Sequence, residues 1–271
     1  MSLLLLFGLE ALLNWFDPWG AVRYFKAGGP TTDLYIPHES RYVLPAGDYD
    51  FGNWAAQIAA DFTRNVPDNG VGACRIIFLG DSVTFGLGVD DDETWANQLA
   101  ARHPAWDVVN AAVPGYNSSA VRDTLRNFDA DAYAYLIIAN DAGPLAFYPD
   151  IQQHNDALSA IAIYWQTWRI QQRGFEHPPQ MIEQNGQLLR RFDADIAALA
   201  ALPRLLMAGF EGDGLAESAR VQYESLVLIP PYHSQISFAD PHPDAEGHLQ
   251  IADAIEPHVV AHVHSHCGLE S

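Results

Sequence analysis

Basic residues are scarce. Fourteen Lys and Arg stand against thirty-four Asp and Glu, a formal net charge of −20. That balance excludes a phosphate-backbone reader, which needs cationic surface, and disfavours an anionic membrane face. Cysteine is scarcer still, with two in 271 residues. A disulfide-dense scaffold and a cysteine-rich zinc module are therefore excluded. Long apolar runs are also missing. Leu3 to Phe16 is leucine-rich, but Glu10 and Asn14 interrupt it and Pro18 and Gly20 end it. A membrane span wants roughly 18 or more apolar residues, and the run has neither the basic flank nor the small-residue cleavage site of a signal peptide. We expect a helix packed on the domain or on a second copy of the chain, which would make a homo-oligomer. An interfacial membrane anchor is the competing reading, and the missing basic face counts against it. The compartment stays open between cytoplasmic and exported.

What is present is enough for a large core: 49% hydrophobic residues and 18% charged ones. That excludes global disorder and suits one large domain, with or without an extension. The chain divides near residue 70. Tyr42-Val43-Leu44, the turn Pro45-Ala46-Gly47, and Tyr49 to Thr63 read as short strands around turns. Residues 1–70 are thus expected to form an N-terminal helix and small β extension covering one edge of the core. Residues 71–271 form the main domain.

From residue 74 the pattern is regular. Nearly continuous apolar runs occur at 74–79, 107–112, 135–139, 205–208 and 226–229, as suits strands buried on both faces of a parallel sheet. Helical segments are predicted between them over 93–103, 117–127, 151–172, 180–201 and 213–222, and a last one over 244–262. This alternation predicts helix layers around a parallel sheet.

Ligands in such sheets bind at the carboxyl ends of the strands. Gly80-Asp81-Ser82-Val83 follows the first strand, Val113-Pro114-Gly115-Tyr116-Asn117 the second, and Asn140-Asp141 the third. Asp240-Pro241-His242-Pro243 follows the last. A hydroxyl, a base, a carboxylate and amide donors therefore meet at one edge, which is the parts list for acyl transfer. Ser82 is a weak nucleophile until a base takes its proton. His242 titrates near neutrality and suits that role, and Asp240 would hold the other imidazole nitrogen. The Ser82 amide, the Gly115 amide and the Asn140 side-chain amide could stabilise the oxyanion.

These four blocks, in this order, resemble those of the SGNH/GDSL hydrolases over residues 74 to 262. The resemblance implies a three-layer α/β/α sandwich with a flavodoxin-like, mostly parallel five-stranded sheet. It implies ester hydrolysis through an acyl-enzyme, with Ser82 as nucleophile, Gly115 and Asn140 as oxyanion donors, and Asp240 with His242 completing a triad. There are departures. The family commonly places its aspartate three residues before the histidine; that position is Ala239 here, and Asp244 is a fallback orienter. Ile138 replaces a usual glycine two residues before the asparagine, adding bulk beside the pocket.

Other features have plainer explanations. Ser82 alone could be a helix cap, but Asp81 can do that job. His248 reads as a packing or surface residue of the last helix. His258, His262, His264 and His266 read as a solvated tail. Asp90-Asp91-Asp92-Glu93 lacks the alternating ligands of a calcium loop and suits a helix N-terminus. No phosphate loop or dinucleotide fingerprint is present, and no metal or organic cofactor is implied. Cys74 should open the first strand, and the last helix should run back toward it, so Cys267 could pair with Cys74.

The stretch from about 145 to 203 is long for one crossover. It carries Phe147, Tyr148, Tyr164, Trp165 and Trp168. These either pack helices onto the core or form a cap shaping an acyl or sugar pocket; Phe147, Tyr148, Trp165 and Trp168 are the candidate substrate contacts. The main expectation is a carboxylesterase or lipase-like enzyme acting on small-molecule, carbohydrate or lipid esters. A carbohydrate O-acetylesterase or O-acyltransferase would use the same residues. A non-catalytic binding module on the same fold is the rival of another class.

Overall fold

A computed structural model describes residues 3–22, 34–70, 72–143, 159–173 and 179–268. Five parallel strands form the central sheet: β5 (Cys74–Leu79), β6 (Trp106–Asn110), β7 (Ala132–Ile137), β8 (Leu205–Phe210) and β9 (Val227–Ile229). Their order, β6-β5-β7-β8-β9, is the flavodoxin-like one. Every pairing in it is parallel.

Strand periodicity builds the layers. Successive residues point to opposite faces, so Ile76 and Phe78 join one core and Ile77 and Leu79 the other. The first core takes Trp95 and Leu99 from α3 (Trp95–Arg102) and Ile251, Ile255 and Val259 from α8 (Ala245–Cys267). The second takes Val121 from α4 (Ser118–Leu125) and Phe192, Ile196 and Leu199 from α6 (Pro179–Ala200). The result is the expected α/β/α sandwich. Of the other helices, α2 (Ser82–Phe85) is one turn, and α5 (Ala160–Arg173) and α7 (Gly214–Gln222) lie near the expected positions. Residues 151–158 of the helical segment predicted over 151–172 lie outside the described residues.

The last helix departs from expectation. Rather than ending at 262 before a histidine tail, α8 runs to Cys267 through an exposed Pro257. Asp244 caps its start, accepting from the Gly247 amide at 2.9 Å. Buried Ile251, Ile255, Val259 and Val263 recur every four residues, so packing carries the helix past its proline. Its end meets the start of β5, where Cys267 and Cys74 are bridged with Cα atoms 5.7 Å apart.

The N-terminal segment holds α1 (Leu3–Phe16) and two hairpins, β1 (Ile36–His38) with β2 (Arg41–Val43) and β3 (Gly47–Asp50) with β4 (Ala55–Ile58). Arg64 bridges Ile58 to Asn110 at the end of edge strand β6. Its guanidinium is fully buried. It pairs with Asp91 at 2.7 Å and donates to the carbonyls of Phe85, Gly86 and Val89 at 2.7, 2.5 and 2.6 Å. An arginine of the N-terminal segment thus grips the loop that follows Ser82. Gly86, at φ 88°, is required there, because a Cβ would lie 2.8 Å from Arg64 Nη1.

Candidate active site

The β5 strand ends at Leu79, and the chain turns through Gly80 into α2, whose first residue is Ser82. Asp81 caps that turn, accepting from the Val83 amide at 3.0 Å. The capping role therefore falls to Asp81, and the Ser82 hydroxyl is left for other partners. Its Oγ lies 2.9 Å from His242 Nε2. On the other side of the ring, Nδ1 lies 2.6 Å from Asp240 Oδ1. A carboxylate can only accept, so the ring proton belongs on Nδ1 and the Nε2 lone pair faces the serine.

The loop before α8 is braced on itself. The Ile236 amide donates to the His242 carbonyl at 2.9 Å, and the Asp240 amide donates to Ser237 Oγ at 3.1 Å. Tyr232 Oη donates to the Pro241 carbonyl at 2.7 Å. Asp240 also accepts from the His242 amide at 3.1 Å, a turn bond that the two-residue spacing permits. Asp244 stands apart from the imidazole. It caps α8 and accepts from Ser234 Oγ at 2.8 Å.

Electrostatics favour a cation on His242. Burial alone would lower its pKa, but the hydrogen bond and charge of Asp240, with a contribution from Asp81, outweigh burial and raise it above 6.5. Burial raises the Asp81 carboxyl above the ordinary range, although the Val83 amide and the Asn140 side chain donate to it and Ser82 Oγ lies 3.1 Å from it. Asp141 is pushed well above its usual range by burial and by the Asp81 charge. Its Oδ2 accepts from Tyr135 Oη at 2.8 Å and from the Ile138 amide at 2.9 Å, which shapes the turn that carries Asn140.

The oxyanion candidates reach the same edge by different means. Asn140 lies in a 3₁₀ turn after β7 and donates Nδ2 to Asp81 Oδ2 at 3.1 Å. That uses one of its two amide hydrogens. Gly115 occupies the turn after β6 at φ 81°, a left-handed conformation that glycine adopts without strain. The preceding Pro114 carbonyl accepts from Tyr42 Oη at 3.0 Å, so the N-terminal segment also steadies this loop.

Of the aromatic candidates, Phe147 and Tyr148 lie outside the described residues. Trp165 and Trp168 project from α5 into solvent and stack on each other at 5.0 Å. The link between α5 and the histidine loop is Tyr164. Its ring stacks on Trp19 at 5.0 Å, and the Trp19 carbonyl accepts from the Ala239 amide at 3.0 Å. Sequence reasoning missed Trp19, since nothing local marks a residue that meets a loop some two hundred positions away. It also missed Asp81 as the carboxylate joining Ser82 to Asn140, although Asp81 sits inside the first block. His248 is fully buried, with Nδ1 3.3 Å from the Trp95 amide. It is a packing residue.

Several solved structures are distantly similar to this chain. Among those similar to this chain is TesA, at 14% identity over 69% of this chain and 99% of that one, with a TM-score of 0.39. A family two carbohydrate esterase from Cellvibrio japonicus matches at 14% identity over 74% and 65% of the two chains, TM-score 0.39. A member of the lipolytic protein G-D-S-L family from Veillonella parvula matches at 14% over 68% and 96%, TM-score 0.36. No protein-family model matches the sequence, and no curated protein matches it significantly. At such identities the likeness concerns the chain trace, and any chemistry has to be argued from the side chains.

Proposed function

We propose that the chain is a serine ester hydrolase. One observation carries the reading: Ser82 Oγ, His242 and Asp240 form a continuous hydrogen-bonded line, 2.9 Å and then 2.6 Å, at the carboxyl end of a parallel sheet. Ser82 Oγ attacks the acyl carbonyl as its proton passes to His242 Nε2, and the imidazolium is stabilised by Asp240. The tetrahedral oxyanion is met by amide donors from the Ser82 turn, Gly115 and Asn140. The alcohol leaves with the proton from His242. Water, deprotonated by the same nitrogen, then attacks the acyl-enzyme and releases the acid. Every proton is handled by one imidazole.

The test is fluorophosphonate labelling with mass mapping, run beside hydrolysis of activated esters of increasing chain length. Label on Ser82, and loss of hydrolysis in folded Ser82→Ala, are expected. An unlabelled protein whose Ser82→Ala variant behaves as wild type would overturn the proposal in favour of a binding module.

A further inference from the structure

We infer that α1 is an interfacial helix that seats the protein on a neutral or zwitterionic lipid surface. The helix is inverted relative to an ordinary surface helix, which turns its apolar stripe to the core. Leu4 is 82% exposed and Trp15 85%, and Leu5, Phe7, Leu12 and Phe16 are exposed with them. At about 100° per residue, these six fall within roughly half of the helix circumference; Leu6 and Leu9 are less exposed, at 39% and 40%, and Leu6 lies with Glu10 on the other half. Glu10 is turned to the protein. Its two carboxylate oxygens accept from the Ala160 and Ile161 amides at 2.7 and 3.1 Å, capping α5. The single charged residue of α1 therefore docks the helix, and the apolar half faces out.

The occupant is set by charge. Glu10 is the one charged side chain of α1, and the helix has no basic residue, so its outer half offers nothing to anionic headgroups. The chain as a whole carries −20, which repels anionic lipid and a second identical chain alike. A zwitterionic surface asks for no countercharge, only apolar and aromatic area, and Trp15 and Phe16 supply the amphipathic and aromatic ends usual at such boundaries. The α5 helix that Glu10 caps carries two further exposed aromatics, Trp165 and Trp168. Immersion along the surface, not spanning, is the mode: no helix among the described residues is long and apolar enough to cross a membrane.

The test uses the full, oxidised chain and no substrate, so it is independent of the proposed activity. Flotation is run with phosphatidylcholine vesicles and with phosphatidylglycerol vesicles, and tryptophan quenching with brominated phosphatidylcholine. Wild type should float with phosphatidylcholine and bind phosphatidylglycerol less. The double variant Phe7→Glu/Leu12→Glu should lose at least tenfold in partitioning. Val221→Glu, at an exposed apolar position on α7, should not. Trp15→Glu, expected to lose both flotation and part of the quenching, serves if the double variant misfolds. Failure of wild type to bind phosphatidylcholine, stronger binding to phosphatidylglycerol, or variants that bind as wild type would overturn the inference. So would a wild-type dimer in sedimentation that the α1 substitutions dissociate, because a second copy would then be the occupant.

Discussion

The pH dependence of hydrolysis tests the site most directly, and Asp240→Asn is the informative perturbation. The base must be neutral to accept the serine proton, so kcat/KM falls as pH drops through the His242 pKa. In the folded chain that pKa lies above 6.5. Burial pulls it down, while the Asp240 bond and charge, with Asp81, pull it up further. The acid limb of the wild-type profile should therefore have its midpoint above pH 6.5. Replacing Asp240 with Asn keeps burial and Asp81 but removes the largest upward influence, so the limb moves to lower pH. Two unit charges about 4 Å apart interact by about 1 kcal/mol in water and about 4 kcal/mol at an effective dielectric of 20. Both side chains are largely buried, which favours the upper end. At about 1.4 kcal/mol per pKa unit, the shift should be about 1 to 3 pH units. The plateau should also fall by about four orders of magnitude, since Asn can select the wrong imidazole tautomer. The assay is kcat/KM for an activated ester from pH 4 to 9, for wild type, Asp240→Asn and Asp244→Asn. An acid limb that stays in place in Asp240→Asn, or that moves in Asp244→Asn, would refute the assignment of Asp240 as the partner of His242.

Two further outcomes concern stability. The Cys74–Cys267 bridge spans 193 residues of sequence, and the loop-entropy relation gives about 5 kcal/mol for such a loop, with measured effects typically about 2–4 kcal/mol. Cys74→Ala/Cys267→Ser should therefore lose at least about 2 kcal/mol in urea unfolding; an unchanged midpoint, or thiols that alkylate without reductant, would count against the bridge. Burial lowers the His248 pKa to about 3, so between pH 6.5 and 3 the unfolded chain binds a proton that the native chain does not. Stability should fall with pH through that window by about 1.4 kcal/mol per unit from this residue. His248→Gln, though less stable at pH 7, should show a shallower decline from pH 6.5 to 4.5, and an equal slope would contradict the burial argument.

The sheet was legible because its strands are apolar on both faces. Ile76, Ile77, Phe78 and Leu79 are all buried, and such a run has few other homes in a chain of alternating elements. The positions of Ser82, Gly115, Asn140 and His242 at one edge followed from reading what comes after each strand. Other contacts carry no local signal. Arg64 looks like any surface arginine until the fold delivers four carbonyls and Asp91 to it. Trp19 meets Ala239 only because α1 and α5 dock together. The sequence pattern ends the last helix at 262 and leaves the histidines to a tail, whereas burial of Val259 and Val263 carries the helix on to Cys267.

The choice between Asp240 and Asp244 shows where pattern gives way to geometry. Spacing from the histidine admits both, since each lies two residues away. Their roles separate once the start of the last helix is known. The residue before Ala245 faces unpaired amides, and a carboxylate there is drawn to them. Asp244 accepts the Gly247 amide and the Ser234 hydroxyl, and its oxygens are turned to the helix and the neighbouring loop. Asp240 precedes a proline-bearing turn with no helix to cap. Its carboxylate is buried, where an unpaired charge would be costly, and the groups that meet it are the amide and ring nitrogen of His242. The same desolvation that makes Asp240 need a donor strengthens its hold on the imidazole, so the helix start at Ala245 decides which aspartate meets the His242 ring.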